Sequence, residues 1–437
     1  MDPGDYPSSW VFTPRNGIIV KSPQSAHGHV FQWQTATHGT RGKGGDATRH
    51  AQQDADILMI IPSWGKRCGV AEYTRALADE LRKQGLPVEV TTGRAGEILS
   101  LACRGRYRVA HFQFEYRLFD VAGLRYLASQ LKAYGVRVMA TVHDFYPGNT
   151  AGNNLIRDAF SDIIVHSKRL GEELCRLGID RGRIHVIPMG CPKVDLIEEG
   201  RTRAALGVGP GPGLGFFGFA LPQKGLVELA VAAKALRENV FPHLKVFAFA
   251  APPFFGDEYV HELAGLLHSS GLAQGFMLRT DYLPVRDVVN YLHAMDINIL
   301  PYKEASYIGT SSAVRVLMAA EKPIITTDIP YFDDLDGEVF KIPSADPDRI
   351  AEAVLYLMAN PARREEMVCR IRRYVEDNDW SQVSERHAAL YRVQGRPDQA
   401  GAWTTRGTMY HALHGPSIPS VPPEVWERLV KRFGKKG

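Results

Sequence analysis

Four small residues, Gly309, Thr310, Ser311 and Ser312, stand in a pattern that suits chemistry on an anion. They belong to the stretch 296–328, DINILPYKEASYIGTSSAVRVLMAAEKPIITTD. An apolar run at 297–300 breaks at Pro301, a polar loop follows, and the loop opens a helix expected over 313–320. Residues 323–327 then read as a second buried strand. A strand, a small-residue loop and a helix in that order aim backbone N–H groups and hydroxyls at the helix N-terminus, where the dipole favours negative charge. Glycine and serine let a phosphate approach the backbone. An ordinary βα turn has the same outline, so the rest of the chain must decide.

Other candidates lie at strand ends. Residues 65–74 form a glycine-containing turn into a helix, with Gly69 as its close-approach residue, facing a phosphate or an acceptor. His143, in TVHD, ends a strand at its carboxyl edge, where open α/β sheets place their ligands, and Asp144 beside it is placed to orient it or an acceptor hydroxyl. His111, Gln113 and Glu115 alternate, so all three face one way and Glu115 is placed to reach a cleft. His166 and Ser167 read as strand-end packing. The Asp-x-Asp spacings offer no convincing metal site. Asp346-Pro347-Asp348 reads as an N-cap, a first-turn proline and a first-turn acid for a helix over 347–359. Asp54/Asp56 and Asp377/Asp379 flank a first strand and a helix end.

These groups need a scaffold. Residues 57–61 form a continuous apolar run, as a parallel strand buried on both faces requires. A helix over 71–83 follows and Gly85 stops it. Further strands are expected at 88–91, 109–112, 137–142, 162–165 and 185–187. A second alternation comprises strands 214–219, 245–250 and 276–278 and helices 226–236, 259–269 and 285–295. Such alternation gives parallel sheets covered by helices. Residues 1–53 read as a flexible arm, 54–206 as a first domain and 207–377 as a second, with GVGPGPG at 207–213 as the break. Residues 378–393 read as a terminal helix and 394–437 as an extension, whose segment 423–437 has an amphipathic pattern.

Composition narrows the class. At 437 residues there is room for two domains, and 45% apolar with 23% charged residues is ordinary for a globular protein. A net charge of +4 is too small to imply nucleic acid as a partner. Cys68, Cys103, Cys175, Cys191 and Cys369 are scattered without CxxC spacing, which argues for reduced thiols and against a zinc site. Residues 1–50 lack the apolar core of a signal peptide, and no apolar run reaches membrane-spanning length. The expectation is a soluble cytoplasmic protein, with peripheral contact at the inner membrane face through 423–437 left open.

The order of the pieces resembles the retaining glycosyltransferases of the two-domain architecture called GT-B, in the large family 4 group. The 296–328 stretch resembles that family's donor-binding element, and ILMIIPSWGKRCGVAEYTRALADEL (57–81) its first strand, glycine loop and helix. HFQFEY (111–116), TVHDFYP (141–147), VHS (165–167) and IPMG (187–190) resemble successive strand ends of its first domain. GFFGFALPQKG (215–225) resembles the strand and loop that open its second. The resemblance runs from about Asp56 to Tyr391. It implies an α/β fold of two Rossmann-like domains facing a central cleft, with a C-terminal crossover helix.

It also implies roles. Lys224 matches the lysine that contacts the donor phosphate, and Gly218 lies in the same donor-binding loop. The family often places an arginine after this glycine; here Phe219 follows. A pair of glutamates eight positions apart is a second hallmark. Counting back from Pro323 puts Ile308 and Val316 there, whereas counting forward from Pro301 brings Glu304 near the first position as a donor-sugar contact. The activity implied is metal-independent, retaining transfer from a nucleotide-sugar co-substrate, without other cofactor, to a hydroxyl of a glycan, lipid-linked or small-molecule acceptor. Two other readings share the fold: a nucleotide-sugar 2-epimerase, and a non-catalytic GT-B module that binds a partner enzyme or glycan.

Overall fold

Long apolar runs flanked by turns bury both faces of a strand, and a computed structural model arranges them in two largely parallel sheets. It describes residues 18–19, 56–93, 95–103, 107–303 and 307–392. Glu304, most of the N-terminal arm, and the extension 394–437 with its amphipathic segment lie outside the described residues.

Within the arm, β1 (Ile18–Ile19) is described. The first domain runs β2 (Ile57–Ile60), α1 (Gly69–Lys83), β3 (Val88–Thr91), α2 (Ala95–Cys103), β4 (Val109–Phe114) and α3 (Val121–Ala133). It continues with β5 (Arg137–Val142), β6 (Asp144–Phe145), α4 (Thr150–Ala159), β7 (Asp162–Val165), α5 (Lys168–Arg176) and β8 (Ile184–Val186). The second domain opens with α6 (Glu199–Leu206), β9 (Gly213–Phe219), α7 (Leu226–Asn239), β10 (Lys245–Ala251), α8 (Glu258–Ser269) and β11 (Phe276–Arg279). Then come α9 (Val285–His293), β12 (Ile297–Leu300), β13 (Ile308–Gly309), α10 (Ser312–Ala319), β14 (Ile324–Thr327) and β15 (Phe340–Ile342). Three helices close the chain: α11 (Pro347–Ala359), α12 (Pro361–Asp377) and α13 (Trp380–Arg392).

The first sheet has the order β3-β2-β4-β5-β7-β8, the second β1-β11-β10-β9-β12-β14-β15, and every pairing in both is parallel. Chain order reverses between β2 and β4 and between β9 and β12. Ligands of open α/β sheets bind outside the carboxyl ends of strands at such reversals. Those ends carry Gly69 and Glu115 in one domain, and Lys224 with residues 301–303 and 310–312 in the other.

The chain leaves the first domain before α6. Ile197 N–H donates to Asn290 Oδ1 at 2.6 Å, and Arg203 Nη1 donates to Ala294 O at 2.9 Å and Asp296 Oδ2 at 3.1 Å, so α6 is held on the second domain. The Gly–Pro run at 207–213 joins α6 to β9 within that domain rather than joining the two domains. The returning chain runs beside the outgoing one: Cys191 N–H donates to Asn378 O at 2.8 Å, and Cys191 bridges Asp379. Helix α13 then lies on α1 of the first domain, as the crossover expectation required.

A third, two-stranded sheet joins the domains directly. β13 pairs antiparallel with β6, Ile308 opposite Phe145 and Gly309 opposite Asp144. The Ile308 side chain packs into the first domain's core. Among the described residues no helix is long and apolar enough to cross a membrane.

Candidate active site

The loop after β9 is a single 3-10 turn, Pro222–Lys224, closed by Gly225 in the left-handed conformation. The loop after β12 passes beneath it: Lys303 N–H donates to Gln223 O at 2.9 Å. The Lys224 ammonium lies 3.6 Å from the centroid of the Tyr302 ring and 5.5 Å from that of Tyr331. Tyr331 also accepts, through its carbonyl, the Ser311 N–H at 3.2 Å. One aromatic residue thus connects Lys224 with the start of α10.

Ser311 is the N-cap residue of α10, yet its hydroxyl makes no capping bond, is buried, and has no partner. Thr310 is buried beside it and Ser312 is exposed. Across the cleft, Gly69 opens α1, and a Cβ added to it would lie 3.7 Å from Ser312 Oγ. Two helix N-termini, one from each domain, therefore meet at one point of the cleft, and their first-turn N–H groups, which have no partner within the helix, and their dipoles favour an anion there. Gly218 lies in β9 with Tyr302 Oη 3.6 Å from the position of a Cβ.

Asp144 faces this wall from the first domain. A Cβ on Gly309 would collide with Asp144 Oδ1, so glycine lets the Asp144 carboxyl lie directly against this strand. Burial, reinforced by Glu115, pushes the Asp144 carboxyl up to about 7, while Arg117 and Lys224 pull it the other way. Glu115 is itself buried and held by Arg117, whose Nε donates to it at 2.8 Å and whose backbone N–H donates at 2.9 Å. Around Asp144 stand Tyr146 and Tyr307, stacked at 4.7 Å, with Tyr331 edge-on to Tyr307 at 5.4 Å.

His143 takes the opposite direction. β5 ends at Val142, side chains alternate there, and His143 turns into the interior while Asp144 meets the cleft. His166 Nδ1–H donates to Ile187 O at 3.1 Å, which leaves its Nε2 to accept from His143 Nδ1–H at 3.3 Å. His143 Nε2, 3.1 Å from the Gln113 amide, is then bare and requires the NH₂ side of that amide. Burial and the neighbouring histidines hold His143 well below the ordinary histidine value, so it is neutral. Both its nitrogens are occupied inside the protein, against the expectation of a substrate contact. His111 is likewise taken up, by Tyr391 at 2.7 Å and Thr141 at 2.8 Å.

The two positions where the family pattern expects glutamate are filled with purpose. Ile308 seals the contact with the first domain, and Val316 packs in the second domain's core. Asp346 caps α11, accepting from the Asp348 and Arg349 N–H groups, as its spacing implied. Among the described residues no group of three or more His, Cys, Asp or Glu is placed to hold a metal ion.

Sequence reasoning passed over Tyr302, Tyr331, Arg117 and Arg315. The first had a signal, an aromatic immediately after the strand-breaking Pro301. Arg315 had none: it is a cation on the buried side of α10, 1% exposed, ion-paired with Asp334 and lying over the Tyr374 ring.

Two family descriptions match the chain, Glycosyltransferase Family 4 over residues 68–192 and Glycosyl transferases group 1 over 211–360, one in each domain. No curated protein matches it. Among solved structures, Anabaena HepE in complex with UDP superposes with a TM-score of 0.63 at 16% identity, over 77% of this chain and 99% of that one. A glycosyltransferase from Rickettsia africae gives 0.62 at 13% identity, over 77% and 98%. An α,α-trehalose-phosphate synthase (UDP-forming) from Burkholderia xenovorans, with glucose-6-phosphate, gives 0.58 at 12%, over 77% and 99%. At these identities the likeness establishes the fold.

Proposed function

We propose that this chain, which belongs to the family 4-like glycosyltransferases of GT-B fold, transfers a sugar from a nucleotide-sugar donor to an acceptor hydroxyl with retention of anomeric configuration and without a metal ion. The observation that carries the reading is the meeting of the α1 and α10 N-termini across the cleft, with Lys224 on the α10 side. In the transfer, the acceptor oxygen bonds to the anomeric carbon on the face from which the diphosphate departs. The bond from that carbon to the diphosphate oxygen breaks, and the hydroxyl proton passes to the departing diphosphate. Charge grows on the diphosphate, and groups already aimed at it stabilise that charge most effectively.

Lys224, the Ser312 N–H and the small side chains of Thr310 and Ser311 receive the diphosphate, with Gly309 and Gly69 allowing its close approach and Gly218 beside them. The free Ser311 hydroxyl is a further donor without a present partner. Asp144, with Glu115 and Arg117 setting its ionisation, orients the acceptor hydroxyl, and His143 holds the end of β5 from behind. These positive groups supply what a divalent ion otherwise would, and the Asp346 carboxylate is committed to its helix cap. UDP is bound by HepE, so UDP-sugars are the first donors to try.

The test is a screen of UDP-, GDP- and ADP-sugars in EDTA, reading melting temperature, release of nucleoside diphosphate, and the anomeric configuration of any product by NMR. A donor present at about 100 times its Kd should add roughly 2.7 kcal/mol of stability. Stabilisation and nucleotide release by one donor class, with a retained product, is the expected result. Release that needs added Mn²⁺ or Mg²⁺, or an inverted product, would overturn the mechanism. Binding without release would favour a glycan-binding or partner-binding module, which the apolar Ile308 and Val316 leave open as a second reading.

A further inference from the structure

Lys224 is a flexible four-carbon chain at the start of a helix, a place where an ammonium normally samples many rotamers. Here its surroundings are fixed. Gly225 (φ +72°) lies so close to Pro301 that a Cβ would collide with the Pro301 carbonyl. Lys303 Nζ is ion-paired with Glu228 at 2.6 Å, which ties the 301–303 loop to α7 just behind Lys224. Thr327 Oγ1 donates to Tyr302 O at 2.7 Å. The Tyr302 ring, 1% exposed, is packed by Tyr331 and Phe332, and the Lys224 ammonium lies over its face. The face of an aromatic ring carries negative potential and attracts a cation held above it. The Tyr302 hydroxyl has no partner, so the ring's position does not depend on it.

Resting on the reading of Lys224 given above, we propose that Tyr302 is a positioning residue for sugar transfer: the negative face of its ring holds the Lys224 ammonium where the departing diphosphate gathers charge. Tyr302 touches the lysine and not the reacting atoms. Its effect should therefore appear in turnover and pass through Lys224.

Replacing Tyr302 by phenylalanine, then by di- and trifluorophenylalanine, keeps the shape of the ring while draining its negative face. With the donor identified by the screen above, or UDP-glucose as the first probe, Tyr302→Phe is the unfluorinated reference against which kcat is read. The fluorinated series should then lower kcat stepwise, to a total of roughly 3- to 30-fold, the range of a cation–π contact. Melting temperatures should stay level across the series, and the same series in a Lys224→Ala background should be flat. A kcat that ignores fluorination in the parent, or that falls equally in both backgrounds, would overturn the proposal. So would a loss already complete at Tyr302→Phe, which would assign the role to the hydroxyl. If Lys224→Ala itself leaves turnover unchanged, the reading of the donor site fails, a result separable from all of these.

Discussion

Single side chains in the cleft differ mainly in how the fold sets their charge. Asp144 titrates near 7 because it is buried beside Glu115, and an unfolded aspartate titrates near 3.8. The sign follows directly. The raised value favours the folded state below 3.8, and that advantage is lost as pH rises through 7, where the folded protein must ionise a carboxyl in an unfavourable place. Asp144→Asn should therefore stabilise the protein relative to the parent by an amount that grows from pH 4 to 7 and is then constant, as melting curves would read. The same variant should lower transfer and remove the rise in rate through pH 7, because asparagine cannot take the ionised state that orients the acceptor. A gain in stability independent of pH would contradict the assignment. Asp144 was legible in the sequence as a strand-end residue. Its chain neighbour His143 was legible as a position but not as a direction, because alternation at a strand's last residue depends on where the strand stops.

Two elements carry buried charge or buried histidine. Helix α10 presents its N-terminus to the cleft, and its far side is held by Arg315. Burial opposes that charge, but Asp334 and Tyr374 hold the guanidinium above the ordinary arginine value. Arg315→Met would leave Asp334 buried and unpaired, at an expected cost of about 3–5 kcal/mol. Arg315→Met with Asp334→Leu should recover most of it, since an apolar pair of similar volume removes the stranded charge. A denaturation cycle would check this, and additive losses would contradict it. Under α13, Tyr73 OH donates to His387 Nε2 at 3.2 Å while His387 Nδ1–H donates to Val383 O at 2.9 Å. Burial holds His387 down to about 4 and His166 to about 3. Unfolded histidines titrate near 6.5, so below that pH the unfolded chain takes up protons that the folded one refuses. Stability should fall as pH drops from 6.5 toward 4 and below, and His387→Gln should make the fall shallower in a melting-temperature series. The strands at Arg137–Val142, Asp162–Val165 and Ile297–Leu300 were readable because uninterrupted apolar runs admit few alternatives. β6 and β13 were not, since two residues carry no period and their pairing spans more than 160 positions of chain.

The whole molecule is two Rossmann-like sheets clasped along one cleft. The β6–β13 pairing, the Ile308 plug, the Tyr146–Tyr307 stack and the Arg169–Asp333 ion pair all cross between domains. They hold the α1 and α10 N-termini together. A side chain at 309 must displace the Asp144 carboxyl and press on the Tyr331 ring, so the branched Gly309→Val should part the strands and open the cleft. Small-angle scattering should show a larger radius of gyration, with each domain's melting little altered; an unchanged radius would show that the clasp does not set closure. The two-domain architecture was visible in the alternating pattern, but the clasp was not, because its parts are joined only by the fold. The most direct test of the account is a crystal structure with a nucleoside diphosphate bound, UDP first. One diphosphate should place oxygens within about 3 Å of both Lys224 Nζ and the Ser312 backbone N–H, beside Gly69. A diphosphate bound elsewhere, or one that reaches the helix end while Lys224 stays on Tyr302 out of contact, would contradict it.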